Sequence, residues 1–192
     1  MLYLKTSHRF ITEPLEDKEL RTQLKAQGID ARRMSRFTQL ALLGALPLKA
    51  QIPAQTSLYI ASPFSSPSKF NKMFGQLMND NLPSPLDFMA NLNNAATFQI
   101  AQHFNLQQTS LFLAIHPQDY LQPLYLAELD LTLEPEKSAL IGWVLESPNR
   151  EGIEGSVWWL VNTTKNQESS LITKESFDFC EVHLLLNNAN FV

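Results

Sequence analysis

The stretch T-S-L-F-L-A-I-H-P-Q-D-Y-L-Q-P-L-Y-L, Thr109 to Leu126, decides the fold. Its first half is an apolar run of strand length and its second half is an apolar helix, and His116, Pro117 and Gln118 form the turn between them. A strand that ends at the lip of a helix is where several α/β enzyme families place a nucleophile. This corner has none. It carries no Cys or Ser, and no small residue that would let a backbone approach a substrate.

Outward from the corner, the pattern alternates strands and helices. Leu2-Tyr3-Leu4 opens a first strand, and Glu16 to Gln27 is a charged helix stopped by Gly28. Asp30 is expected to cap the next segment, apolar on most sides from Met34 to Leu46 and ended by Pro47. Ser57 to Ser62 reads as a strand between prolines. Ser68 then caps a helix whose Phe70, Met73, Phe74, Leu77 and Met78 fall at i, i+3, i+4, i+7 and i+8, a stripe expected to be core. Ser84 and Asp87 form a capping box around Pro85, and that helix breaks near Asn93-Asn94 and resumes through Ile100 and Phe104. Ser138 to Glu146 and Ser156 to Thr163 read as buried strands, and a last strand is expected around Val182 to Leu186. Alternation followed by adjacent strands indicates an α/β layer architecture in one domain, 1–192.

Composition narrows the function. The hydrophobic fraction of 44% suits a chain with a real core, and the net charge of −4 offers no attraction to nucleic acid or anionic lipid. Arg32, Arg33 and Arg36 are the clustered bases, expected on a solvated face or paired with acids. The single cysteine, Cys180, excludes an internal disulfide and zinc spacing, and its strand-like surroundings suggest a packed, inert thiol. No signal peptide pattern or membrane-length apolar run is visible, so a cytoplasmic protein is expected. No glycine-rich nucleotide motif occurs, His103 and His183 have no metal spacing, and no cofactor is expected. His116, Gln118 and Asp119 cluster at the corner and admit acid–base work. The plainer reading is that Pro117 and Asp119 open a helix, with the carboxylate near its positive end. An unrelated enzyme using His116, Asp119 or Cys180 stays open as a rival.

D-A-R-R-M-S-R-F-T-Q-L-A-L-L-G-A (Asp30 to Ala45) resembles the R-R-M-x-R-F-x-x-L-A-x-x-A-A segment of β-ketoacyl synthases. S-P-L-D-F-M-A-N-L-N-N-A-A-T-F-Q (Ser84 to Gln99) resembles the S-P-x-x-F-x-x-S-x-H-N-A-x-x-G pattern of the β-ketoacyl-synthase N-terminal-like family. The match runs on to Gly142 and Glu146, at the family's A-G-G-x-x-E, and to Glu154 and Gly155, at its E-G-A. The resemblance is best over residues 30–163. It implies a thiolase-like N-terminal half: a mostly parallel five-stranded sheet with helices on both faces.

The departures shape the functional expectation. The family's acyl-accepting cysteine falls on Pro117, which has neither a nucleophile nor an N–H to donate. A one-residue slip would align Gln118 with the glutamine that replaces this cysteine in chain-length-factor subunits of polyketide synthases. The family's patterned histidine is Asn93 here, with Asn94 kept, and its two catalytic histidines lie in a C-terminal half beyond this sequence. The resemblance therefore implies a catalytically inactive accessory subunit of a fatty-acid-like or aryl-polyene/polyketide pathway. Its partner would be a ketosynthase subunit or a second copy. The alternative is a non-catalytic module holding an acyl chain or acyl-carrier protein. Tyr120, Leu121, Leu124, Tyr125 and Leu129 surround one helix with apolar side chains and are the expected interface, unless the chain from Lys165 onward folds back over them.

Overall fold

The computed structural model describes residues 1–82, 84–135, 137–165, 169–173 and 179–189. Six strands form one sheet: β1 (Tyr3–Thr12), β2 (Thr56–Ser62), β3 (Ser110–Ala114), β4 (Ser138–Leu145), β5 (Glu154–Asn162) and the two-residue β6 (Ser170–Leu171). Seven α-helices accompany them: α1 (Asp17–Ala26), α2 (Arg36–Ala45), α3 (Pro67–Asp80), α4 (Pro85–Asn91), α5 (Ala95–Phe104), α6 (Gln122–Leu133) and α7 (Cys180–Leu186). The spatial order is β3-β2-β4-β5-β1-β6. β2 pairs in parallel with β3 and β4, whereas β5 pairs antiparallel with both β4 and β1. Strands β1 to β4 thus run one way, against β5 and β6. The sheet is mostly but not wholly parallel, and it has six strands rather than five.

β2, β4 and β5 are buried along their whole length because helices cover both faces. Period-2 alternation sorts their side chains. Leu58, Ile60, Leu140 and Trp158 pack against Leu20 and Leu24 of α1, Phe37 and Leu40 of α2, and Ile100 of α5. Tyr59, Ile141, Trp143 and Trp159 pack against Leu124 and Leu131 of α6 and Val182 and Leu185 of α7. α6 is pinned further by Asp130, whose Oδ2 accepts hydrogen bonds from Ser57 (2.6 Å) and Tyr59 (3.0 Å). Gly142 faces the Trp158 ring, and a Cβ there would stand 2.4 Å from it.

Local signals are realised in α1, followed by Gly28 at φ +78°, and in α4, where the Ser84 hydroxyl accepts from the Asp87 amide. Other expectations need correction. Ser35, not Asp30, caps α2, and Asp30 binds Arg32 instead. α2 is not ended by Pro47 but tightens into a 3-10 segment, Leu46–Gln51, that contains it. The N-cap position of α3 is Ser66, with Pro67 opening the helix. The expected last strand is α7, because Val182, Leu185 and Leu186 stand at i, i+3 and i+4 and are all buried on one helical face.

The largest correction concerns α3. None of its residues is buried, and Phe70, Phe74, Leu77 and Met78 are between 45% and 66% exposed. Phe70 and Phe74 stack on each other, with centroids 6.0 Å apart. The periodicity is helical as expected, but the stripe faces away from the described core. α3 packs chiefly on α4.

Candidate functional site

The corner after β3 is a short 3-10 turn, Pro117–Asp119, followed by α6, which Pro123 opens. The His116 imidazole Nδ1 accepts the Gln118 amide at 3.4 Å, and the His116 carbonyl accepts the Asp119 amide at 2.8 Å. Pro117 is buried; His116, Gln118 and Asp119 are exposed. Residues 115–121 include no Cys, Ser or Lys. The turn geometry is that of a helix start. Asn93 lines a groove with Phe70, Phe112 and Ala114 beside this corner, of about 690 Å3.

The motif residues behind the resemblance meet in a buried charged network. Arg36 and Glu154 lie 118 residues apart, with side chains 3% and 0% exposed. The Arg36 Nε donates to Glu154 Oε2 at 2.9 Å, and its Nη2 donates to Glu154 Oε1. The guanidinium also donates to Asp17 and to the Leu15 carbonyl, the latter at 2.6 Å. A planar fork against a carboxylate is the geometry in which a buried ion pair holds. Of the two expected environments, Arg36 takes the pairing with acids, while Arg32 and Arg33 are exposed and Arg32 also pairs with Asp30.

Glu146 is fully buried and joins two helix starts. Its Oε2 accepts from the Phe37 amide of α2 and the Ser66 hydroxyl, both at 2.8 Å, and its Oε1 accepts from the Ser68 amide of α3 at 2.9 Å. Burial nonetheless holds its carboxyl above the ordinary glutamate range, against the lowering effect of these donors. Sequence patterns flag Glu146 and Glu154 separately, but nothing local signals that one caps two helices and the other pairs with Arg36.

Between the first turns of α2 and α5 and the α3–α4 pair lies a cleft of about 790 Å3. The segments 32–38 and 84–99, which carry the resemblance, form most of its wall. Asp87 accepts ion pairs from Lys69 (2.8 Å) and Lys72 (2.9 Å), which hold its carboxyl down at about 2. Asp87 is therefore both in the first turn of α4 and the tie between α3 and α4.

The expected interface divides. Leu124 is buried in the core, and Tyr120 and Leu121 pack against that core. Tyr120 meets Phe179 and His183 near α7, with centroid separations of 5.3 and 4.1 Å. The later part of the chain thus covers that end of α6, while Tyr125 (51%) and Leu129 (62%) stay exposed. His183 is on a helix with an aromatic partner, not in an isolated strand. Cys180 is exposed in the first turn of α7, not packed in a strand. His103 is half-buried, and burial, then Lys49, push its imidazole down. Among the described residues no cluster of His, Cys, Asp and Glu could hold a metal, and no helix is long and apolar enough to cross a membrane.

No family model and no curated protein matches the sequence. Solved structures do. The ishigamide ketosynthase/chain length factor is 13% identical over 84% of this chain and 62% of its own, with a TM-score of 0.64. The ketosynthase ApeO in complex with its chain length factor ApeC, from Xenorhabdus doucetiae, gives 15% identity, 85% and 79% coverage and a TM-score of 0.63. AntDE:AntF, a type II PKS acyl-carrier protein in complex with its ketosynthase, gives 10% identity, 84% and 62% coverage and a TM-score of 0.67. The chain spans less than two thirds of the first and third of these. At such identities the likeness concerns the fold, and the fold is ketosynthase-like.

Proposed function

We propose that this chain is a non-catalytic accessory subunit of chain-length-factor type that pairs with a ketosynthase in a polyketide-, aryl-polyene- or fatty-acid-like pathway. The observation that carries the reading is the corner. A strand end and a helix start meet at one point there, and the sequence resemblance assigns buried Pro117 to the position of the nucleophile. Condensation needs a thiolate or equivalent to take the acyl chain, and neither proline nor the exposed amide of Gln118 can form that ester. Cys180 sits on α7, and the turn's own hydrogen bonds are those of a helix start.

Pairing is supported by exposed apolar surface. Phe70, Phe74, Leu77 and Met78 form an exposed apolar stripe on α3, and Tyr125 and Leu129 are exposed on α6; a contiguous exposed apolar stripe marks an interaction surface. β3 is a sheet edge, with a backbone side open to another strand. Two experiments test the proposal. Intact-mass spectrometry after incubation with acyl-carrier-protein and acyl-CoA donors should show no stoichiometric acyl adduct; one would overturn inactivity. Light scattering at low micromolar concentration, alone and with a candidate ketosynthase partner, should show a dimer or a hetero-complex. A clean 21.8 kDa monomer that ignores the ketosynthase would overturn pairing.

A further inference from the structure

We propose that the cleft between the α3–α4 pair and the first turns of α2 and α5 binds a single-chain anionic amphiphile, an alkyl or acyl chain ending in a phosphate or carboxylate. Its volume of about 790 Å3 falls within the range of small-molecule sites. The lining combines two chemistries. Met34, Leu86, Met89, Leu92 and Phe98 supply apolar surface, and Arg32, Arg33, Lys69 and Lys72 bring four cations to the same walls.

These cations are under-neutralised, in a chain whose net charge is −4. Asp30 holds Arg32, and the single carboxylate of Asp87 serves both Lys69 and Lys72. Arg33 is exposed and forms no ion pair among the described residues. Four cations against two carboxylates leave a positive cleft, which attracts an anion from solution and favours it within low-dielectric walls. An uncharged lipid would leave this charge unanswered, and a free inorganic anion would leave the apolar lining wet. A flat basic surface would suit an acidic protein, but a concave site of this volume with apolar walls suits a chain-bearing small molecule.

The site lies within one chain, so its failure would leave the pairing proposal standing, and the reverse holds too. Isothermal titration of the full chain with dodecyl phosphate, dodecanoate, dodecanol and inorganic phosphate, each below its aggregation concentration, tests it. The expected result is saturable one-to-one binding of dodecyl phosphate or dodecanoate, at least tenfold tighter than either dodecanol or phosphate alone. Arg33→Glu and Phe98→Ser, each at an exposed position, should each weaken that binding at least tenfold with the melting temperature unchanged. Lys18→Glu on α1 and Phe74→Glu on the outer stripe of α3 should not. Dodecanol binding as tightly as dodecyl phosphate, or loss of binding in Phe74→Glu but not Phe98→Ser, would overturn the site as mere adhesion to the α3 stripe. So would phosphate alone matching dodecyl phosphate, or an acidic carrier-type protein binding through Arg33 while no amphiphile binds.

Discussion

Arg36→Met should be among the most damaging single substitutions in the chain. The side chain is 3% exposed and makes two of its four hydrogen bonds, as a planar fork, to Glu154, itself fully buried. Asp17 is about half exposed, so it can recover water when the guanidinium goes. Glu154 cannot. Among the described residues it would keep only the Ser147 amide, at 3.3 Å. Removing one partner of a buried pair costs about 3–5 kcal/mol, because the other charge is left uncompensated. For a chain of this size each kcal/mol lowers the melting temperature by about 2–4 °C, so a fall of about 6–20 °C is expected. Replacing both partners by apolar residues removes the stranded charge, so Arg36→Met/Glu154→Leu should recover much of the loss. Urea unfolding followed by the fluorescence of Trp143, Trp158 and Trp159, all buried, reports both variants. A loss of about 1 kcal/mol or less for Arg36→Met, of the size of an exposed ion pair, would refute the account. So would a double variant as unstable as the sum of its singles.

Glu146→Gln sets an amide NH2 against a backbone or hydroxyl donor and should cost about 1–3 kcal/mol near neutral pH. Because burial raises the Glu146 carboxyl in the folded state, protonation favours folding: stability of the natural protein relative to this variant should rise as pH falls from 8 towards the ordinary carboxylate range, and melting curves across that range should not show a flat or reversed gap. Phe74→Glu should leave stability within about 0.5 kcal/mol, since the ring is 52% exposed, while weakening self-association or ketosynthase binding in light scattering. A loss of several kcal/mol would show that the stripe is core after all. Gln118→Ala should fold with an unchanged melting temperature and leave the pathway's product profile unaltered; a changed profile at constant stability would assign Gln118 a chain-length-factor-like role.

Short-range features were legible in the sequence. The Gly28 stop of α1, the Ser84 cap of α4, the break before α5 and the strand character of β2, β4 and β5 each depend on a few consecutive residues. That Pro117 brings no reactive atom to the corner was legible too, whatever the fold. Facts about pairing and cover were not. Cys180 to Leu186 is too short for its apolar content to separate strand from helix, and packing of Val182, Leu185 and Leu186 against the sheet decided it. The α3 stripe shows that periodicity specifies a face without specifying what meets it. Arg36 and Glu154, or Lys69, Lys72 and Asp87 around one cleft, acquire their roles only when distant segments are brought together. Backbone preference acts over a turn or two of chain, whereas burial and ion pairing depend on surfaces supplied from across the sequence, so the sequence determined most of the elements and the residue types at the corner, and the tertiary structure alone decided the state of α7, which charges are buried and which apolar face is left open.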